Sequence, residues 1–305
     1  MLQRRVFTNA RFLRAVTGLS RDEFARLLPR FAQAYQEAQA LRDARPRHRR
    51  AGGGRKGQVP QVRDKLLFIL VYVHLYPIQV VQGALFDLGQ SQASDWAIRL
   101  LPVLRAALGK EVALPARPPS SMDALCRQCP DLLFLLDATE RPIPRPGTDA
   151  RQRQYYSGKK KRHTVKNTIL TDRKGRRIVY LGATARGSTH DKTQAETDAP
   201  PFPPDSRGGA DLGYQGYHPP NLVLTIPFKK PKGGALTPEE KALNTALAKL
   251  RIPVEHAIRG IKRQRIAADL FRNTSAGMID LSIEVAAGMY NLTNQYRGYS
   301  APIAA

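Results

Sequence analysis

The sequence predicts a layered α/β domain, in which helices pack on a sheet, preceded by a smaller all-helical domain. Residues 20–109 carry apolar side chains at the three- and four-residue spacing of amphipathic helices, whereas the middle of the chain contains short β-rich runs bounded by turn residues. Helical patterns return from Thr237 onwards. Strands and helices that share one stretch of chain are typical of a sheet that helices cover.

The N-terminal segment, residues 1–41, is predicted to contain a helix from Ser20 to about Ala40, because Ser20 and Glu23 have the spacing of a capping box. Residues 42–60 are rich in Arg, Gly and Pro and predict a flexible basic linker. This linker is either a solvated loop or a mobile strap on DNA phosphates.

Residues 61–109 are predicted to form a small helical domain. A first helix spans Gln61–Leu75 and is ended by Pro77, a short helix runs through Phe86, and a longer helix begins near Ser91. Two helices joined by a tight Gly-containing turn are typical of a helix-turn-helix, although helical hairpins that bind nothing share the pattern. The side chains that would face DNA are Gln90, Gln92, Ser94, Asp95 and Arg99.

Residues 110–130 show no strong periodicity and are predicted to be a linker. The two cysteines of the chain, Cys126 and Cys129, lie within it. Their spacing is that of half a zinc site or of a redox pair, but the sequence offers no second Cys/His pair and no thioredoxin-like context. Two ordinary thiols in a reducing compartment are therefore expected.

Residues 131–273 are predicted to form the α/β domain. Its first strand is an apolar run that ends at Asp137. Two β-rich runs, His163–Thr171 and Arg176–Ala183, flank the turn Asp172–Gly175 and are predicted to pair as a hairpin.

Two shorter strands are expected in this domain, at Ala210–Gly213 and Leu222–Ile226. A helix then begins at Thr237, because Thr237 is followed by Pro238 at the first helical position and by Glu240, which completes a capping box.

A further helix is predicted from about Pro253 to Ala268. The C-terminal segment, residues 274–305, is predicted to be a last helix, from about Met278 to Tyr296, followed by a tail.

The charge of the chain indicates a polyanionic partner. The 305 residues include 49 Lys and Arg against 25 Asp and Glu, which gives a net charge of +24. Nucleic acid is the first candidate partner for such a protein. The longest apolar stretch, Leu66–Val73, is far shorter than the roughly 20 residues that span a bilayer, and no secretory signal is visible. We therefore expect a cytoplasmic protein without a membrane partner.

Three acidic residues occupy unusual local contexts. Asp137 closes an apolar strand, Asp211 precedes two glycines that permit a sharp turn, and Glu255 lies on a helix face with Arg259 and Lys262. Carboxylates are the ligands that Mg²⁺ prefers, and two such ions are the usual device for phosphodiester displacement. Each residue also has a local interpretation, as a turn residue or as a partner of the helix dipole. Spacing alone does not bring the three together.

Several sequence blocks stand in a characteristic order between about residues 60 and 273. They are Asp137-x-Thr-Glu-Arg-Pro, Tyr155–Asn167, Gly187–Asp191, Asp211-x-Gly-Tyr-Gln-Gly, Lys229–Gly233 and Arg251-x3-Glu255-x6-Lys262. Together these blocks resemble the DDE transposases of bacterial insertion sequences, and most closely the IS-five family and its eukaryotic Harbinger-like relatives.

The resemblance implies a ribonuclease H-like catalytic core, a mixed sheet flanked by helices, preceded by an all-helical helix-turn-helix domain. It implies that Asp137, Asp211 and Glu255 form a metal-binding catalytic triad for two Mg²⁺ ions, with Mn²⁺ as a substitute. Asp137 would bridge the two ions. The implied activity is cleavage at insertion-sequence ends and strand transfer to target DNA by two-metal phosphoryl transfer.

The resemblance also implies DNA-binding roles for basic side chains. Arg251 and Lys262 would hold phosphates near the scissile bond. Salt-sensitive affinity would come from Arg259, from Lys159, Lys160, Lys161 and Arg162, and from Lys229, Lys230 and Lys232. A plainly solvated face is the alternative for the run at 159–162. His190 and Asp191 would support the metal ligands, and Asp191 is an alternative ligand.

Two features depart from the family pattern or complicate it. Ala248 stands where related transposases often have a Tyr, so that contact is dispensable here or activity is reduced. Pro253 could break the helix, which would separate Arg251 from the Glu255 face.

The implied partners are double-stranded DNA, as terminal inverted repeats and as target, and further copies of the chain in a homodimer or larger assembly. A bacterial, nucleoid-associated location follows from these partners. Two alternatives remain: a DNA-binding regulator or domesticated transposase without catalysis, and a nuclease of the same core that lacks strand transfer.

Overall fold

A computed structural model of the chain describes residues 2–44, 58–117, 133–200, 202–275 and 277–297. Cys126, Cys129 and most of the two predicted linkers lie outside the described residues. No helix in the described ranges combines the length and the apolar character that crossing a membrane requires.

The chain divides into two compact units. The helical unit comprises Met1–Leu114, Lys262–Asp269 and Asn273–Ala305, and the sheet unit comprises Pro115–Ile261 and Leu270–Arg272. Three segments that the sequence treats as separate, 1–41, 61–109 and 274–305, thus belong to one unit, because their helices pack on one another.

The helices are numbered in chain order. They are α1 Leu2–Thr8, α2 Ala10–Thr17, α3 Arg21–Asp43, α4 Val62–Leu75, α5 Gln79–Leu85, α6 Gln90–Lys110, α7 Asp149–Tyr155, α8 Asp191–Asp198, α9 Pro238–Lys262 and α10 Met278–Arg297. Helices α7 to α9 belong to the sheet unit, apart from the last residue of α9.

Helix α4 is the centre of the helical unit. All its residues from Leu66 to Val73 are buried, and α2, α3 and α6 pack around it. A helix that is apolar on every side is stable in water only when it is enclosed, and this accounts for the longest apolar stretch of the sequence. Helix α10 packs on α6, where the Asn291 side chain donates a hydrogen bond to the carbonyl of Ala113 at 2.9 Å.

The predicted boundaries in this unit are largely confirmed. Ser20 and Glu23 form the capping box of α3, and α5 and α6 are joined by the short turn at 86–89, in which Asp87 is left-handed. Helices α1 and α2 were not predicted. Asn9 caps α2 by accepting a hydrogen bond from the Phe12 N–H at 3.0 Å, a local signal that was available in the sequence.

The strands of the sheet unit form one mixed sheet. They are β1 Leu133–Pro142, β2 Tyr156–Ser157, β3 Arg162–Thr171, β4 Ile178–Leu181, β5 Ala185–Arg186, β6 Ser206–Gly209 and β7 Leu222–Thr225. The order is β2-β3-β1-β6-β7, with β4 and β5 also on β3. Strand β3 is antiparallel to β1, whereas β1, β6 and β7 are parallel to one another. The predicted mixed sheet and the β3–β4 hairpin are therefore confirmed.

Two strand predictions were wrong. Strand β1 does not end at Asp137 but continues to Pro142, because β3 pairs with it from Leu135 to Pro142. No strand covers Ala210–Gly213. Strand β6 ends at Gly209, and the chain then turns into a 3-10 turn at Leu212–Tyr214.

Helix α9 is one continuous helix where the sequence predicts two. It runs through Pro253 to Lys262, and the segment after it holds only a 3-10 turn at Arg265–Ala267. A proline removes one backbone hydrogen bond from a helix interior without preventing helix on both sides. The Thr237 cap is confirmed, since the Glu240 N–H donates to Thr237 Oγ1 and the Thr237 N–H donates to the Glu240 carboxylate.

The β3–β4 turn lies against the middle of α9. Gly175 is left-handed, with φ of +61°, and donates a hydrogen bond to the Asp172 carbonyl at 2.9 Å. A Cβ atom at this position would meet the carbonyl carbon of Pro253 at 2.6 Å. Only glycine therefore allows the turn to approach the helix between Arg251 and Glu255.

We expect Gly175→Ala to destabilise the sheet unit by about 2–4 kcal/mol, because it combines left-handed strain with a backbone collision. Gly233→Ala is the matched control, since Gly233 is also left-handed, at φ of +79°, but a Cβ atom there meets nothing within 4 Å. That variant should lose only about 1 kcal/mol. Thermal unfolding by circular dichroism compares the two, and equal losses would contradict the contact.

Candidate active site

Strand register brings Asp137 and Asp211 together. Leu135 of β1 lies opposite Gly209 of the parallel strand β6, and each aspartate stands two residues further along its own strand direction. Neighbouring strands are about 4.8 Å apart, so equal offsets place the two carboxylates side by side. Asp211 is fixed by its own turn, because its Oδ1 accepts a hydrogen bond from the Gly213 N–H at 2.9 Å.

Arg251 of α9 faces both carboxylates. Its Nη2 lies 4.0 Å from Asp137 Oδ2 and 3.9 Å from Asp211 Oδ2. These distances indicate ion pairs that are too long for hydrogen bonds. The Nε atom of Arg251 is buried and, within the described part of the chain, has no hydrogen-bond partner. The guanidinium therefore balances the charge of the pair without being locked to it.

Glu255 lies one turn beyond Arg251 on the same helix, and its side chain is exposed. The continuity of α9 removes the concern that Pro253 separates the two residues. Among the residues that the structure describes, however, no three His, Cys, Asp or Glu side chains are grouped closely enough to hold a metal ion. The structure thus brings together two of the three predicted triad members and places the third on the adjacent helix.

The environment of Asp137 favours its neutral form. Burial, together with the charge of Asp211, raises the pKa of Asp137 to about 6, although the Ala138 N–H, Arg251 and Lys159 act in the opposite direction. The Ala138 N–H donates to Asp137 Oδ1 at 2.7 Å. A bound cation beside these carboxylates would reverse the effect of burial.

Asp191 is a third carboxylate close to the pair. Lys166 of β3, which is itself buried, donates from Nζ to Asp191 Oδ1 at 2.9 Å. A Cβ atom at Gly213 would meet Asp191 Oδ2 and Asp211 Oδ1, each at 2.9 Å. Gly213 therefore lets the two carboxylates approach from opposite sides, and Lys166 neutralises Asp191.

Tyr214 lies fully buried beside these acids. Burial raises its pKa well above the ordinary value, and the charges of Asp137, Asp191 and Asp211 add to the effect. Its hydroxyl has no hydrogen-bond partner among the described residues. The phenol is therefore neutral at ordinary pH.

The predicted basic residues of the sheet unit are exposed. Lys159, Lys160 and Lys161 lie in the tight turn between β2 and β3, which is held by hydrogen bonds from the Lys160 and Lys161 N–H groups to Ser157, and Arg162 is the first residue of β3. Lys159 is near enough to Asp137 to lower its pKa. Lys229, Lys230 and Lys232 follow β7.

The remaining predicted residues have separate surroundings. Arg259 is exposed on α9, one turn after Glu255, and Lys262 is the last residue of that helix and belongs to the helical unit. His190 is exposed and immediately precedes α8.

The side chains predicted to face DNA all lie on α6; they are Gln90, Gln92, Ser94, Asp95 and Arg99. Arg99 is exposed. The Gln92 side chain accepts a hydrogen bond from the Gly89 N–H at 3.1 Å, so it also holds the start of the helix. Ser94 accepts a hydrogen bond from the Gln79 side chain at 3.0 Å, which ties α6 to α5.

Lys166 and Tyr214 were given no role by the sequence reasoning, and Gly213 was expected only to permit a sharp turn. All three stand inside the blocks that carry the family resemblance, but their roles depend on contacts between distant segments. The one local signal was a lysine in the apolar run of β3, where a charge is costly unless it is paired.

The residues at this site fit a divalent cation. Asp137 and Asp211 direct carboxylate oxygens at one shared cationic group, and oxygen donors of this kind are those that Mg²⁺ and Mn²⁺ bind. The two donors that are in place for such a cation are Asp137 and Asp211. Glu255 lies on α9, the helix that also carries Arg251.

Comparison with known proteins gives two matches. The family profile described as DDE superfamily endonuclease matches residues 136–291. A probable transposase for insertion sequence element IS702, from Microchaete diplosiphon, is 30% identical over 230 residues, which are 75% of this chain and 80% of that protein. No solved structure matches the chain. Neither match names the IS-five family, so that finer assignment stays a prediction.

We expect Arg251→Gln to raise the affinity for Mn²⁺ about tenfold or more, because a cation between two mostly buried carboxylates opposes the binding of another. Arg259→Gln removes the same charge from the exposed side of the same helix and should leave the affinity unchanged. Isothermal titration calorimetry measures both, and identical affinities of the two variants would contradict a shared cation position.

Proposed function

Because the chain belongs to the DDE superfamily endonucleases, we propose that it is the transposase of an insertion sequence, which cuts DNA at the ends of its element and joins those ends to target DNA. The observation that carries the proposal is the pair Asp137 and Asp211, which share one cationic partner beside parallel strands. The relative from Microchaete diplosiphon, whose name describes a probable transposase, supports the same activity.

We propose that Asp137 and Asp211 hold divalent metal together with Glu255, and that Mg²⁺ is the ion, with Mn²⁺ as a substitute. Two bound ions would activate the water or DNA 3′-hydroxyl that attacks the phosphodiester and would stabilise the leaving oxygen. Asp137 is the central ligand in this scheme, since its strand, β1, lies between β3 and β6, the strand that leads to Asp211. In this scheme Glu255 is the third ligand and is supplied by α9.

The chain's own residues position the DNA. Arg251 is held by long ion pairs and can turn its guanidinium to a phosphate near the scissile bond. Lys159 stands on the Asp137 side of the site, and the rest of its turn offers further positive charge. Lys166 balances the charge of Asp191, which reduces the repulsion that this carboxylate would exert on a DNA phosphate. Positioning and charge stabilisation of this kind dominate phosphoryl transfer.

The helical unit is proposed to recognise the terminal inverted repeats. We propose that helices α5 and α6, which a short turn joins, act as a helix-turn-helix; Arg99 and Gln92 are exposed on α6. Two element ends must be brought together, so we propose that the protein acts on DNA as a homodimer or larger assembly in the bacterial nucleoid.

Asp137→Asn, Asp211→Asn and Glu255→Gln should each reduce Mg²⁺-dependent cleavage of supercoiled DNA that carries the element ends by at least about a thousandfold, because each removes a proposed metal ligand. DNA binding, measured by fluorescence anisotropy, should be retained. Gel electrophoresis of the products, with Mg²⁺ or with chelator, reads the cleavage.

Glu196→Gln is the matched control, since this exposed carboxylate pairs with Lys192 on α8 and should leave cleavage intact. Cleavage that persists in a triad variant removes that residue from the catalytic set. A joining assay with pre-cut ends separates a transposase from a nuclease that lacks strand transfer, because only the former links the 3′-ends to a target plasmid.

A further inference from the structure

The loop after β7 exposes an aromatic ring next to a cluster of positive charge. Phe228 is 46% exposed, and the lysines that follow it at 229, 230 and 232 are exposed as well. We call Phe228–Lys232 the Phe228 loop. We propose that this loop binds an unpaired base of the DNA beside the site of cleavage, with Phe228 stacked on the base and the lysines on the phosphates. The inference rests on the proposed function, because it assigns a feature of the DNA substrate to this loop.

The loop is held in place by one side chain of α9. Asn244 accepts a hydrogen bond from the Phe228 N–H at 2.8 Å and donates one to the Phe228 carbonyl at 3.0 Å. This two-point contact fixes the backbone of Phe228 while its ring stays exposed. Covering this exposed apolar ring with the face of a base would be favourable, because it removes apolar surface from water.

Strand register and helix geometry place the Phe228 loop near the aspartates. Gly209 of β6 lies opposite Thr225 of β7, so the loop leaves the same edge of the parallel strands as Asp211. Asn244 precedes Arg251 by seven residues, which is about 10 Å along the helix and within about 20° of the same face. The ring therefore belongs to the surface from which Arg251 reaches the two carboxylates.

The chemistry of the Phe228 loop favours nucleic acid over an apolar partner. Three exposed lysines within four residues repel one another and would resist burial in a protein interface. Lysines beside an aromatic ring are typical of proteins that bind single strands, where bases stack on the ring and phosphates face the charges. A base within intact duplex offers no free face, so the ring requires a nucleotide that has left the stack.

Full-length protein in chelator tests the inference without cleavage. The probes are a fully paired duplex and the same duplex with a short unpaired segment that contains 2-aminopurine. We expect Phe228→Ala and Phe228→Leu to weaken binding of the unpaired probe about tenfold and to abolish the change in 2-aminopurine fluorescence, with binding of the paired duplex within about twofold. Phe228→Trp should retain both signals, because it retains an aromatic face.

Val223→Ala is the matched control, since it removes a 69% exposed apolar side chain from β7 and should change neither probe. Lys229→Gln should weaken the binding of both probes equally.

Equal losses of binding on the two probes for Phe228→Ala would overturn the inference, as would full retention of binding by Phe228→Leu. A change of oligomeric state in Phe228→Ala, measured by sedimentation without DNA, would assign the ring to a protein contact instead. Binding is measured in chelator, where no cleavage occurs. A failure of this inference can therefore be told apart from a failure of the proposed triad, which is tested by the loss of cleavage.

Discussion

The repulsion between two neighbouring carboxylates is the constraint on which the rest of the sheet unit depends. The register of β1 and β6 forces Asp137 and Asp211 side by side in a mostly buried place, where an uncompensated pair of negative charges is costly. Arg251 supplies the compensation from α9. The guanidinium is not hydrogen-bonded to either acid. The two carboxylates therefore require a positive charge beside them, but that charge need not come from Arg251. A site of that kind is suited to exchange a side-chain charge for a metal ion.

The other acid of the cluster is treated differently. Asp191 has a permanent partner in the buried Lys166, with a true hydrogen bond between them, whereas the pair at 137 and 211 has only long contacts. Gly213 lies between Asp191 and Asp211 and permits their close approach. The structure thus pairs one carboxylate closely with a lysine and leaves two with long ion pairs only, a difference that the sequence does not show.

Helix α9 joins these elements into one surface. It carries Arg251 towards the aspartates, holds the backbone of Phe228 through Asn244, and lies against the β3–β4 turn at Pro253. The helix therefore links the position of the Arg251 guanidinium to the position of the Phe228 loop. Of the leucines at 243, 247 and 250 along its first half, only Leu247 is buried.

The sequence by itself determined the features whose causes are local. Capping boxes at Ser20 and Thr237, the apolar α4 and the turn of the β3–β4 hairpin were all predicted, since each depends on residues a few positions apart. Tertiary structure decided where β1 ends, and that Asp137 and Asp211 face Arg251 while Glu255 stays exposed. These features depend on contacts between segments that lie tens of residues apart in the sequence. The spacing of side chains along the chain does not show which distant segments will come together.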